Sequence, residues 1–200
     1  MTNPLAILCV IGSCISLQLG ASLAIQLFPH GGTWGTASMR LLVASAILLV
    51  LSRPKVHTWG REKWVSATIF GVSLGLMNGF FYAGIDLVPL GPAVTIEFLG
   101  PLLLAAVLSR SLRDATCVTL ALIGMALLGV DSLTGEPLSP RGVVFLILAG
   151  ACWAAYILAS KKAGALFSGQ DGLAVALCIG GITLLPLGLS LIHISEPTRL

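Results

Sequence analysis

Seven long apolar stretches, separated by short polar segments, run through almost the whole chain. They cover residues 5–28, 35–51, 64–85, 90–108, 115–130, 143–160 and 173–189. An α-helix needs about 20 apolar residues to cross the hydrocarbon core of a bilayer, and these stretches approach that length. Proline and glycine stand between several of them, as is typical of turns. The pattern predicts an all-α polytopic membrane protein with seven visible transmembrane helices.

The composition of the chain indicates that lipid is the main solvent of the fold. Hydrophobic residues make up 56% of the chain and charged residues only 10%, and the mean hydropathy is +1.01. A soluble domain of this length would carry much more polar surface. The five cysteines form no CxxC pair and no spacing typical of zinc ligands. We therefore predict neither a metal site nor a cofactor.

The positive charges predict the orientation of the chain in the membrane. Apart from Arg199 in the tail and Arg40 in a span, nine lysines and arginines remain, and only Arg141 falls outside three alternate loops. The other eight are Arg53, Lys55, Arg61, Lys63, Arg110, Arg113, Lys161 and Lys162. The positive-inside rule places these loops, and hence the N-terminus, in the cytoplasm. These cations form no patch, so we expect the bilayer but no nucleic acid as a partner.

A weak internal repeat relates the first predicted helix to the sixth. A shift of 138 residues aligns Gly12-Ser13-Cys14 with Gly150-Ala151-Cys152, and Ala21-Ser22 with Ala159-Ser160. Helix six comes five crossings after helix one, so the two copies run in opposite directions through the membrane. Secondary transporters commonly contain such inverted repeats. Chance similarity between helices rich in small residues is the alternative.

Several short motifs occur in order between residue 5 and about residue 188. They are Gly20-Ala21-Ser22-Leu23-Ala24, Gly71-Val72-Ser73-Leu74-Gly75, Val88-Pro89-Leu90-Gly91, Glu97-Phe98 with Gly100-Pro101-Leu102, and Gly150-Ala151-Cys152-Trp153-Ala154. This order resembles the EamA-type branch of the drug/metabolite transporter superfamily, and within it the threonine/homoserine exporter group. The resemblance implies ten helices in two inverted five-helix repeats, cytoplasmic termini, and export of small amino acids or related metabolites. Residues 1–133 would form the first repeat, and residues 140–188 the first two helices of an incomplete second repeat.

The last residues of the chain do not match that family. From Leu189 to Arg199 the sequence is similar to the translation of a sequencing-library adapter. We therefore expect 189–200 to be a non-native tail, on a protein that continues beyond about Gly188. A native polar tail is the alternative.

Three polar side chains are predicted to lie at one depth in the membrane. With Thr33, Leu90 and Ile85 as the extracytoplasmic boundaries, Arg40, Glu97 and Asn78 respectively each lie seven residues deep, which corresponds to about 10 Å at 1.5 Å per residue. A guanidinium and a carboxylate at one level could bind the carboxylate and the ammonium of an amino acid. Further candidates to line such a substrate site are Gln18, Tyr82, Trp153 and Tyr156.

Each of these residues also has a structural interpretation. Arg40 and Glu97 could form an ion pair that ties the second helix to the fourth, because intramembrane charges often pair with each other. The other candidates could serve in interhelical hydrogen bonds or packing. If the charged pair instead breaks during transport, Glu97 would be the proton carrier, since the protonation of a carboxyl group depends on burial and on nearby charges.

The function predicted from these observations is that of an inner-membrane secondary transporter. It would export small amino acids of the threonine/homoserine kind by proton antiport with alternating access. The alternatives are a truncated fragment without transport activity, an exporter of other metabolites or drugs, and a membrane-embedded enzyme. An enzyme is disfavoured because no stretch before the tail contains a histidine and Glu97 has no acidic neighbour. The sequence leaves a homodimer open.

Overall fold

The computed structural model is all-helical over the residues that it describes, which are 4–109, 111–133 and 137–195. Within these ranges the helices are α1 (Pro4–Ile25), α2 (Phe28–Ser52), α3 (Arg61–Ile85), α4 (Leu90–Leu108), α5 (Leu112–Leu133), α6 (Pro140–Leu166) and α7 (Asp171–Ser195). A short 3-10 helix, Val56–Thr58, joins α2 to α3. The described ranges contain no strand, so the predicted all-α class is confirmed. The loop cation Arg110 and the end of the expected tail, 196–200, lie outside these ranges.

Six helices in the described part of the chain are long and apolar enough to cross a membrane. The segments are Ile7–Ile25, Gly31–Ser52, Arg61–Ile85, Leu90–Leu108, Pro140–Leu166 and Asp171–Gly188. The seventh predicted crossing, at 115–130, falls on helix α5, in which the residues whose side chains the structure describes form the apolar segment Asp114–Leu127. The protein is thus a multi-pass membrane protein.

The junction between the first two helices differs from the sequence prediction. The first apolar stretch was expected to continue to Phe28, followed by a turn at Pro29 to Gly32, but α1 ends at Ile25 and α2 already begins at Phe28. Pro29 fits into the first turn of α2, where its missing N–H removes no hydrogen bond. The helix breaks at Gly32, which has φ 64° and ψ 169°. Glycine adopts these angles without the clash that a Cβ would cause, so the break separates a short first turn from the segment that carries Arg40.

Helices α3, α6 and α7 form the centre of the fold. Helix α3 packs against both α6 and α7, while α7 also packs on α2, and α6 on α4. Two buried hydroxyl groups tie α2 to α7: Ser38 Oγ donates to the Gly181 carbonyl at 2.8 Å, and Ser45 Oγ to the Ala174 carbonyl at 2.9 Å. Such interhelical bonds each contribute typically ~0.6 kcal/mol. Helix α1, by contrast, is exposed along most of its length.

Glycines permit the closest helix crossings. Gly75 of α3 lies against Gly180 of α7, and a Cβ on Gly75 would come within 2.7 Å of the Gly180 carbonyl oxygen. Gly100 of α4 meets Gly150 of α6 so closely that a Cβ on Gly100 would overlap the Gly150 carbonyl. Small residues at these positions let helix backbones approach in a membrane. The α4–α6 crossing lies one helical turn from Glu97 and thus sets the position of that residue.

Candidate functional site

A cavity of about 290 Å³ opens among α1, α2, α3, α4 and α6. Its lining residues are Cys14, Leu17, Gln18, Ala21, Arg40, Met77, Asn78, Phe81, Val94, Glu97, Phe98 and Trp153. Five of the seven side chains proposed from sequence therefore meet here, namely Gln18, Arg40, Asn78, Glu97 and Trp153. Four helices contribute the polar groups and the tryptophan contributes from a fifth, so residues distant in sequence share one space.

Arg40 is held in place by Tyr82. The Nη1 of Arg40 donates a hydrogen bond of 2.7 Å to the hydroxyl oxygen of Tyr82, and its guanidinium carbon lies 5.9 Å from the centre of the Tyr82 ring. Tyr82 is completely buried and packs on Phe28, with the ring centroids 5.5 Å apart. Gly20 of α1 lies beside the guanidinium, where a Cβ would be in ordinary van der Waals contact with Nη2 at 3.8 Å. Tyr82 thus orients Arg40 but does not itself line the 290 Å³ cavity.

Arg40 also borders a second cavity. This space, about 770 Å³, lies mainly between α1 and α2 and is lined almost entirely by apolar side chains, and Tyr82 also lines it. Arg40 therefore borders both cavities, whereas Tyr82 borders only the second. The first cavity differs in bringing an acidic side chain and two amides to the same wall as the guanidinium.

Glu97 is the buried acid of the first cavity. Its side chain is 7% exposed, and it lies on α4 where Gly150 of α6 touches the Glu97 backbone. Among the described residues, its carboxylate forms no ion pair with Arg40 and accepts no hydrogen bond. The structural ion pair that the sequence left open is therefore absent from this conformation. A basic and an acidic side chain thus line one small space without forming a direct ion pair.

The two amide side chains of the cavity differ in how firmly they are held. Asn78 Nδ2 donates to the Leu74 carbonyl one turn earlier on α3, at 2.9 Å. Gln18 lies on the exposed helix α1. Asn78 is therefore oriented before any ligand arrives.

Aromatic rings complete the cavity, but Tyr156, like Tyr82, lies outside it. Trp153 packs edge-on against Phe98, with the ring centroids 4.7 Å apart, and both line the cavity. Tyr156, one turn further along α6, instead stacks on Phe70 of α3 at 5.3 Å. The structure thus places Tyr156 in a helix contact and not in this cavity.

The sequence did not single out the apolar lining residues. Phe98 follows Glu97 directly, and Phe81 lies three residues after Asn78 on the same helix. The spacing of three or four residues that places side chains on one helix face is the signal that could have found Phe81. In a chain that is apolar on every helix face, however, this signal does not separate cavity from lipid.

Comparison with known proteins shows which proteins this chain is related to. The chain is 38% identical over 185 residues to the threonine/homoserine exporter RhtA of Escherichia coli (strain K12), and 38% identical over 184 residues to that of Salmonella typhimurium (strain LT2). The chain is a homologue of RhtA. The matches cover 92% of this chain and 62% of the relatives, so the chain spans less than two thirds of the length of the curated relatives it matches.

The homology to RhtA confirms the resemblance inferred from the ordered motifs. It relates the chain to a transport protein and not to an enzyme. No family model matches the chain, and no solved structure matches it. The comparisons do not support the homodimer that the sequence left open.

Proposed function

We propose that this protein is a secondary transporter of the bacterial inner membrane that exports threonine, homoserine and related small amino acids. The observation that carries the proposal is that Arg40 and Glu97 face one intramembrane cavity without pairing. Homology to proteins named threonine/homoserine exporters supports the substrate class.

The two charges match the two charges that every free amino acid carries. Arg40 has five N–H donors, of which Tyr82 receives one, so the guanidinium can still bind a carboxylate through two parallel hydrogen bonds. Glu97 can accept hydrogen bonds from the ammonium group. A charge left unpaired at this depth is costly, and a bound zwitterion would compensate both charges at once.

Glu97 also suits a role in coupling export to the proton gradient. A carboxylate that binds either a substrate ammonium or a proton makes the binding of substrate and the binding of a proton mutually exclusive. An antiporter requires this exclusion. The inverted relationship between α1 and α6 favours alternating access around this cavity, with residues 1–133 as the first repeat and 140–188 as part of the second. In this arrangement the N-terminus lies in the cytoplasm.

Transport is tested in liposomes that contain the purified protein. With radiolabelled threonine or homoserine inside, an inward-directed proton gradient should accelerate efflux relative to liposomes without protein. The same protein in lipid nanodiscs should bind threonine at equilibrium. Binding without efflux would mean that this chain holds a substrate site but not a complete translocation path. The absence of both binding and efflux would refute the proposal.

Tyr82→Phe should weaken threonine binding because it removes the hydroxyl that orients Arg40 while keeping the buried ring. The loss of one such hydrogen bond corresponds to about a two- to tenfold rise in the dissociation constant. Tyr156→Phe is the matched control, since it makes the same chemical change outside the cavity. Equal affinities for the two variants would contradict the positioning role of Tyr82.

A further inference from the structure

Asn78 presents a hydrogen-bond acceptor that the protein itself leaves unused. Because its Nδ2 donates to the Leu74 carbonyl, the amide is fixed and its Oδ1 must point away from that bond. Within the described part of the chain, Oδ1 accepts no hydrogen bond. An unpaired acceptor at membrane depth is unfavourable unless water or a ligand supplies a donor.

Apart from Gln18, Arg40, Asn78 and Glu97, the cavity is lined mainly by apolar side chains. Met77 and Phe81 flank it on α3, and Val94 and Phe98 come from α4. An oriented acceptor in a cavity with this largely apolar lining favours a ligand group that has one donor and an apolar remainder. A hydroxyl on a short carbon chain has this character, whereas an ammonium or a carboxylate would need more polar partners.

The register of α3 relates Asn78 to the anchor for the substrate carboxylate. Asn78 and Tyr82 are four residues apart, so they lie on one face of the helix, one turn from each other. Tyr82 holds Arg40. An amino acid whose carboxylate binds Arg40 can therefore extend its side chain along α3 towards Asn78.

We propose that Asn78 recognises the side-chain hydroxyl of the exported amino acid and so selects threonine and homoserine over apolar amino acids of the same shape. This inference rests on the proposed function. Gln18 is the other amide of the cavity, but it lies on the exposed helix α1, and in the described residues no hydrogen bond fixes its amide. Pre-orientation lowers the entropic cost of binding, which favours Asn78 over Gln18.

Two pairs of amino acids that differ only in the side-chain hydroxyl measure the contribution of this group to binding. Valine replaces the hydroxyl of threonine by a methyl group, and norvaline does the same for homoserine. Competition of each ligand against radiolabelled threonine in nanodiscs gives its dissociation constant. The preference is the dissociation constant of the apolar amino acid divided by that of its hydroxylated counterpart. Asn78→Leu should lower this ratio by about three- to tenfold in both pairs, the effect of one hydrogen bond. Asn78→Ala should have the same effect if leucine does not fit.

Matched controls separate this role from a structural one. Thr68→Val removes another side chain that donates to the carbonyl four residues earlier on α3, at 2.8 Å, but on an exposed face, and it should leave the ratio unchanged. Unchanged valine affinity in the Asn78 variants would show that the cavity is intact. A ratio that persists in the Asn78 variants, or that disappears in Gln18→Leu instead, would overturn the inference. A wild-type protein that binds no amino acid would refute the proposed function itself and, with it, this inference.

Discussion

Glu97→Gln should leave the protein folded and inserted but abolish threonine export driven by the proton gradient. Glutamine has nearly the shape of glutamate, so the close α4–α6 contact at Gly150 is preserved. It carries no negative charge for the substrate ammonium and no proton to release. Loss of a hydrogen bond to a charged group alone corresponds to about a ten- to hundredfold weaker interaction with substrate.

The measurement is threonine efflux from liposomes with and without a proton gradient. Glu62→Gln is the matched control, because Glu62 stands exposed in the first turn of α3, away from the cavity. This control should export at the wild-type rate and keep its dependence on the gradient. Export by Glu97→Gln that still responds to the gradient would remove Glu97 from the coupling mechanism.

Gly100→Val is expected to be the most damaging substitution for the fold. The added Cβ would overlap the Gly150 carbonyl, which belongs to the backbone of α6 and cannot rotate away. The helices would have to separate at their closest crossing, and overpacking of this kind costs about 3 kcal/mol. Because Glu97 lies one turn away on α4, the cavity would be displaced as well.

Thermal unfolding of the purified protein in detergent is the appropriate measurement for this variant. Gly124→Val in α5 provides the control, since a Cβ at Gly124 meets nothing within 4 Å. We expect a clearly lower unfolding temperature, or no recoverable protein, for Gly100→Val only. Equal unfolding temperatures for the two variants would show that the α4–α6 contact is looser than the structure indicates.

The candidate site shows which predictions depend on sequence spacing alone. Arg40, Asn78 and Glu97 were proposed to lie together because each stands at the same distance from a helix end, and they do line one cavity. Tyr156 was proposed as a further lining residue, but it lies three residues beyond Trp153, which changes its depth by about 4.5 Å. At its own depth Tyr156 meets Phe70 of α3.

The spacing of residues in the sequence does not predict the hydrogen-bond partner of Arg40. The sequence offered Glu97 as an ion-pair partner or as a neighbour across a binding site, and charge complementarity fits both. The structure pairs Arg40 with Tyr82, a residue proposed only as a further lining group. The rotation of α3 about its axis, set by glycine contacts such as that between Gly75 and Gly180, determines this choice.

By itself, the sequence determined that the chain is helical, that it lies in a membrane, and that Arg40 and Glu97 face the protein interior. These properties follow from the length of each apolar stretch and from the cost of exposing charge to lipid, which are local quantities. Only the tertiary structure decided the break at Gly32, the pairing of Arg40 with Tyr82 and the position of Tyr156 outside the cavity. These depend on how each helix is rotated and packed against its neighbours, and a helix that is apolar on all sides carries no sequence signal for that rotation.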